Sequence, residues 1–205
     1  MKNITALLFV LSLAACADSP PPPVKTSLPT GPALNLDVRT VSLADRNGIQ
    51  PADSPYYKND FHPTIAEAIR QWAGDRLKAV GSTGDAIVII KDASLTAQPI
   101  PHTNTMFKRE QAWKYTAHAD VEVEIKGGNR GDYALASASS SRFETLAENP
   151  SLAEKQNAYA IVLNGVMQDL NRNLEASIRE HMAPYLVTAP IINGDYGAAP
   201  PPVIQ

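Results

Sequence analysis

The residues able to do chemistry in this 205-residue chain are few and scattered. Its four histidines, His62, His102, His118 and His181, stand singly, with no HExxH pair, so the ligand spacing a metal ion needs is missing. The one cysteine, Cys16, excludes a disulfide framework and a cysteine metal cluster. Glu122 and Glu124 lie two apart, which on a strand places both on one face, near His118 and Asp120. Such a row could bind a cation or move protons, and it equally describes a solvated strand face; a hydrolase would also need a pocket. Gly81-Ser82-Thr83-Gly84 lacks the Lys-Ser/Thr pair of a phosphate loop, and there is no GxSxG or dinucleotide fingerprint. The pattern predicts no enzyme, no metal site and no cofactor.

What remains is contact chemistry. Met106-Phe107-Lys108-Arg109 sits in a proline-bearing stretch, 98–111, longer than most connections between neighbouring strands. An apolar pair followed by a basic pair suits a lipid headgroup or a protein partner; a hairpin whose strands simply run further explains the same stretch. Arg130-Gly131-Asp132 matches an adhesion tripeptide, but glycine and aspartate are what a turn requires there. With 18 basic against 21 acidic residues and a net charge of −3, the chain has no electrostatic footprint for nucleic acid.

The elements that must position these residues follow from periodicity. Leu34, Leu36, Val38, Val41 and Leu43 predict a first strand over 34–44. A loop with Gly48, Pro51 and Pro55 follows, punctuated by Tyr56, Tyr57 and Phe61, which pack on the core or line a pocket. Pro63 opens a helix whose apolar face is Ile65, Ile69, Trp72, Ala73, Leu77 and Val80, and Gly81 ends it. Ala86 to Ile90 is a continuous apolar run that predicts a central strand, extending towards Ala97. Trp113 to Ile125 alternates apolar and polar residues without a break, the pattern of an antiparallel strand with one wet face. A glycine turn at 127–132 leads to a return strand over 133–145, where Ala134, Ala136 and Ala138 leave room for a helix. Ser151 and Glu154 have capping-box spacing, and a stripe from Leu152 through Tyr159, Leu163, Val166, Leu170, Leu174 and Ile178 to His181 or Met182 predicts a helix to about Ala183. The stripe is also close to a heptad, so a coiled coil is the competing assignment. Gly165 on the buried side implies close approach of a strand. The expected fold is α+β, a two-layer sandwich of a mainly antiparallel sheet of about four strands with a short helix and a long C-terminal helix.

At the N-terminus, Lys2 precedes a mostly apolar run, Ile4 to Leu13, too short to span a bilayer and suited to a signal peptide. It ends in Leu13-Ala14-Ala15-Cys16, which resembles the lipobox of bacterial lipoproteins. The resemblance implies that residues 1–15 are removed and that Cys16 becomes the first residue, carrying a diacylglyceryl thioether and an N-acyl chain such as palmitate. Multiple acyl chains make such an anchor effectively permanent. Ala17, rather than Asp, after the cysteine implies sorting to the outer membrane. Residues 16–33, with Pro20 to Pro23, Pro29 and Pro32, form a proline-rich tether in this reading. The periplasmic domain is 34–184, and 185–205, rich in proline and glycine, is a disordered tail.

The order of elements, with Lys114-Tyr115-Thr116-Ala117 to Ile125, Ser141-Arg142-Phe143 and Glu148-Asn149-Pro150 before a long helix, resembles the lipopolysaccharide-assembly lipoproteins and the auxiliary lipoproteins of ABC-type transporters. The resemblance implies an accessory or assembly subunit with an envelope protein partner, anchored to the membrane by lipid. The alternative is a periplasmic binding module for a lipid or other apolar ligand, with a cavity between helix and sheet lined by Trp72, Trp113 and Tyr159.

Overall fold

The computed structural model describes residues 22–48, 61–101, 111–127 and 133–187. The signal segment, Cys16, Tyr56, Tyr57, His102, Met106 to Arg109, the Arg-Gly-Asp turn and residues 188–205 lie outside the described residues.

Three long antiparallel strands form the frame: β4 (Asp85–Pro99), β5 (Gln111–Lys126) and β6 (Tyr133–Ala147), preceded in the chain by β1 (Leu34–Leu36), β2 (Thr40–Asp45) and β3 (Leu77–Ala79). Alternation fixes their register. Val88, Val123 and Ala136 line up across the sheet, as do Ala86, Ile125 and Ala134, so one face is mainly apolar, with Ser140 and Arg142 further along β6. β2 adds to β4 in parallel, giving the order β2-β4-β5-β6. The fold is α+β, with a mainly antiparallel four-stranded sheet, a short helix and a long C-terminal helix, as the sequence predicts.

Two helices cover the apolar face. α1 (Ile65–Arg76) and α2 (Leu152–His181) both begin with a capping box, Thr64 with Glu67 and Ser151 with Glu154, which satisfies backbone N–H groups that have no partner within the helix. α2 is 30 residues, about 45 Å long, and it matches strands of 15 and 16 residues at about 50 Å. Its stripe of Leu163, Val166, Leu170, Leu174 and Ile178 is wholly buried within this one chain, which leaves no seam for a coiled coil. Small residues on β6 let the helix in. Ala134 and Ala136 are buried, and the Ser140 hydroxyl donates to the Val166 carbonyl at 2.9 Å. At Gly165 a Cβ would stand 3.1 Å from Cγ of Arg142, so the close approach expected there is present.

Three expectations change. The strand predicted over 34–44 is two strands in two sheets. Leu34–Leu36 pairs in parallel with β3, and after Asp37–Arg39 the chain joins the main sheet as β2. The crossing is tight: a Cβ on Gly81 would come within 2.6 Å of the Asp37 carbonyl carbon, and Arg39 N–H donates to the Gly84 carbonyl at 2.8 Å. The first helix ends at Arg76, not at Val80, because Leu77 turns extended to pair with Leu34; Val80 is half exposed. Last, Leu152, expected at the head of the α2 stripe, is exposed, and of the two residues offered for its end Met182 is the buried one.

Residues 22–33, the described part of the expected tether, lie along α2. Val24 N–H donates to Asn157 Oδ1 at 2.9 Å and Ser27 N–H to Asn164 Oδ1 at 2.8 Å, while Asn164 Nδ2 donates to the Lys25 carbonyl at 3.0 Å. Leu28 packs against the core. Gly31 presses on Arg76, where an added Cβ would fall 1.8 Å from Nη1. This segment is a strap, seated by hydrogen bonds that a free spacer would not make.

Candidate functional site

The end of the sheet where β4 leaves and β5 enters holds a groove of about 470 Å³, lined by Ala97, Trp113, Tyr115, Asn149, Pro150 and Lys155. Three elements build it. β4 and β5 run on past the boundaries predicted from sequence, with Pro99 opposite Trp113 and Ile100 N–H donating to the Ala112 carbonyl at 2.8 Å. A register shift between Gln111 and Trp113 buries Ala112 and leaves Trp113 40% exposed beyond the start of α2. Asn149, at φ 52, turns the chain into Pro150 and the helix cap. On the outer face of the same end, Lys114 Nζ lies 4.4 Å from the ring centre of Phe143. The groove adjoins the chain that leads into Met106 to Arg109. Its own contribution is an exposed indole, a lysine and a polar rim, which is contact chemistry.

A second groove, about 500 Å³, runs between β2, α1 and β3 beside Leu43, Arg70, Gly74 and Lys78. A third, about 180 Å³, sits beside the strap at Val24, His62 and Gln156.

The wet face of the sheet carries the carboxylate row. Its acids pair with lysines: Lys91 Nζ with Glu122 at 3.5 Å, Lys126 Nζ with Glu124 at 2.7 Å. The Lys126 hydrogen bond, against some desolvation, holds the Glu124 carboxyl below its ordinary range. Partial desolvation and the neighbouring Glu124 charge push the Tyr133 hydroxyl up. His118 Nε2 is 3.9 Å from Asp92 Oδ2, and the other Asp92 oxygen is buried without a hydrogen bond. Among the described residues no three of His, Cys, Asp or Glu gather as a metal site would require.

The three aromatics expected around an apolar cavity are not brought together. Trp72 is buried in the core and its Nε1 donates to Asn171 Oδ1 at 2.8 Å. Tyr159 stacks on Phe61 at 4.9 Å and donates its hydroxyl to the Pro63 carbonyl at 2.6 Å; burial, then the Glu67 charge, keeps that hydroxyl protonated. Trp113 lines the groove at the end of the sheet, Tyr159 lines the small groove beside the strap, and Trp72 lines neither.

The sequence reading passes over one constellation, Asn157, Asn164 and Asn171. They are seven residues apart, so they share one stripe of α2. The first two hold the strap, and the third holds Trp72. The seven-residue spacing of three carboxamides is the signal that could have found them.

Below this stripe, Arg76, 2% exposed, pairs with Glu175, which also binds Arg179 at 2.7 Å. Desolvation raises the Glu175 carboxyl, but the Arg179 hydrogen bond and the Arg76 charge outweigh it and hold the group below its usual range.

No family model matches the chain, and no curated protein does. Among solved structures, a minor lipoprotein from Acinetobacter baumannii overlaps 75% of this chain and 99% of its own, at 12% identity and a TM-score of 0.37. The rare lipoprotein B of Shewanella oneidensis overlaps 67% of this chain and 92% of its own, at 14% identity and a TM-score of 0.34. A lipoprotein B from Nitrosomonas europaea overlaps 74% and 90%, at 14% identity and a TM-score of 0.38. All three are bacterial lipoproteins, and overlaps at this level carry no argument about what this chain does.

Proposed function

We propose that the chain is a lipid-anchored envelope lipoprotein. It is held at the periplasmic face of the outer membrane through Cys16 and serves as a non-catalytic accessory subunit of an envelope assembly or transport complex. The observation that carries this reading is Leu13-Ala14-Ala15-Cys16 at the end of a short apolar segment. Among the described residues no helix is long and apolar enough to cross a membrane. The long hairpin supports the subunit role. Its outer face exposes Tyr133, Leu135 and Phe143 between serines and paired charges, a mixture in which aromatic residues can anchor a protein partner. The packed core around Trp72 and Tyr159 weighs against an apolar ligand held between helix and sheet.

The test is a crosslinking pull-down from detergent-solubilised envelopes, with Cys16→Ala as control. One specific envelope protein, lost or reduced in the control, is the expected result. Stoichiometric lipid without a protein partner would replace the subunit reading by the binding module. Mass analysis of the N-terminal peptide reads the anchor directly, and an unmodified Cys16 would remove it.

A further inference from the structure

The strap decides which end of the domain a lipid anchor can reach. Its chain runs parallel to α2, from Val24 beside Asn157, through Lys25 and Ser27 beside Asn164, to Gly31 over Arg76, which pairs with Glu175. Cys16 is eight residues before Val24, so whatever path those residues take it lies within about 28 Å of the Asn157 level. The first residue of α2, Leu152, is about 8 Å from that level along the helix, and the last, His181, is about 36 Å away on the other side. An acylated Cys16 therefore reaches the start of α2 and cannot reach its end.

The end within reach carries apolar and basic side chains at the surface. Leu152 is 66% exposed, and Trp113, 40% exposed, shares the groove at this end of the sheet with Lys155. Indole and lysine are the side chains that settle at a headgroup layer, one end apolar and the other wet. We propose that this end of the domain, with Trp113, Leu152 and Lys155, rests on the lipid surface to which Cys16 is anchored, and that the asparagine stripe sets this orientation by holding the strap. The proposal rests on the acylation argued above. It makes residues 22–33 an alignment device, and it leaves the Lys126 end of β5, the Tyr133 end of β6 and the end of α2 facing away from the membrane, open to a partner.

The experiment uses the acylated full chain in phospholipid vesicles. Cys16 is the only cysteine, and its sulfur is taken up by the lipid, so an added cysteine is the one free thiol. A nitroxide is attached in turn to Leu152→Cys, Ile161→Cys and Glu180→Cys, all exposed positions along α2. Its collisions with oxygen, which concentrates in lipid, are compared with those of a water-soluble nickel complex. The expected result is a gradient, oxygen-favoured at 152 and water-exposed at 180, with 161 between. Three water-exposed labels, a reversed gradient, or a label at 152 shielded from both reagents, as a protein contact would make it, would overturn the proposal. Mass analysis of each sample separates this failure from a failure of the anchor, because only acylated protein is scored. Replacing both Asn157 and Asn164 by alanine is expected to flatten the gradient at least twofold; an unchanged gradient would show that the strap does not set the orientation.

Discussion

α2 carries two stripes, and they hold different things. Leu163, Val166, Leu170, Leu174 and Ile178 form a dry stripe against β5 and β6, each fully buried. Asn157, Asn164 and Asn171 form a polar stripe that meets the strap and α1. Burying a large apolar side chain contributes about 1.5–3 kcal/mol and has little directional demand. A carboxamide hydrogen bond contributes about 1 kcal/mol net, but it fixes which atom sits where. Asn164 shows the contrast most clearly, since its oxygen takes the Ser27 N–H and its nitrogen serves the Lys25 carbonyl, as a neighbouring strand would. The dry stripe makes the domain stable, and the polar stripe makes one chain path preferred over others of similar compactness.

The contrast breaks most visibly at Leu170. Leu170→Ala removes a fully buried side chain from the middle of the dry stripe and is expected to destabilise the domain by about 3–4 kcal/mol. Urea unfolding followed by circular dichroism measures it; a loss under 1 kcal/mol would mean that this face is not the main source of stability. Arg76 is the intermediate case, a charge on the polar side that is as buried as the leucines. Arg76→Met keeps the volume and removes the hydrogen bond to Glu175, which retains Arg179, so the expected loss is about 2 kcal/mol. The same unfolding curves check it, and a variant as stable as the parent would show that packing alone holds this corner.

The dry stripe was legible in the sequence, and the polar one was not, for a physical reason. A 30-residue helix and a 16-residue strand repeat their periods long enough to be unambiguous, and both are one-sided. The partner switch after Leu36 left no such trace. Leu34, Leu36 and Val38 keep one alternation while the chain changes sheets, because what changes is the distant strand that accepts the hydrogen bonds. Leu77 satisfies the helical spacing from Ala73 and still lies in a strand, since its pairing with Leu34 is invisible to a local window. At the candidate site, β4 and β5 run into the stretch the sequence assigned to a loop, and the register shift that turns Trp113 outward depends on Ala112 and its pairing. The asparagines read as solvated surface until a strap arrives. The strap reads as spacer because its prolines donate no hydrogen bond, yet Val24, Lys25 and Ser27 between Pro23 and Pro29 supply the groups that do the binding.

Asn164→Ala sharpens the comparison by testing position without much stability. Removing two exposed hydrogen bonds is expected to cost about 1 kcal/mol or less. The strap should nevertheless loosen, and trypsin cleavage after Lys25 should quicken several-fold while cleavage inside α2 does not. Equal protection in parent and variant would assign the strap's placement to Leu28 and Gly31 instead.

Acid gives the smallest effect and should act on the polar side. Glu175 is held below its ordinary 4.5 in the folded protein, as is Glu67, chiefly through the Thr64 N–H, and Asp85 is held below its ordinary 3.8 through Thr40 and Arg39. A group lowered on folding binds fewer protons folded than unfolded, so its contribution is present above 4.5 and is lost as pH falls through the folded value. Stability is therefore expected to be flat from neutral pH down to about 5 and to decline below 4.5. Glu175→Gln should be less stable than the parent at neutral pH and should show a shallower acid decline, because a carboxamide has no proton to gain. The dry stripe has no titrating group, so Leu170→Ala should leave the shape of the pH curve unchanged and lower it at every pH. Curves that run parallel for Leu170→Ala and converge in acid for Glu175→Gln would separate the two stripes by their chemistry; parallel curves for both would mean that the Glu175 ion pairs are too well solvated to couple to folding.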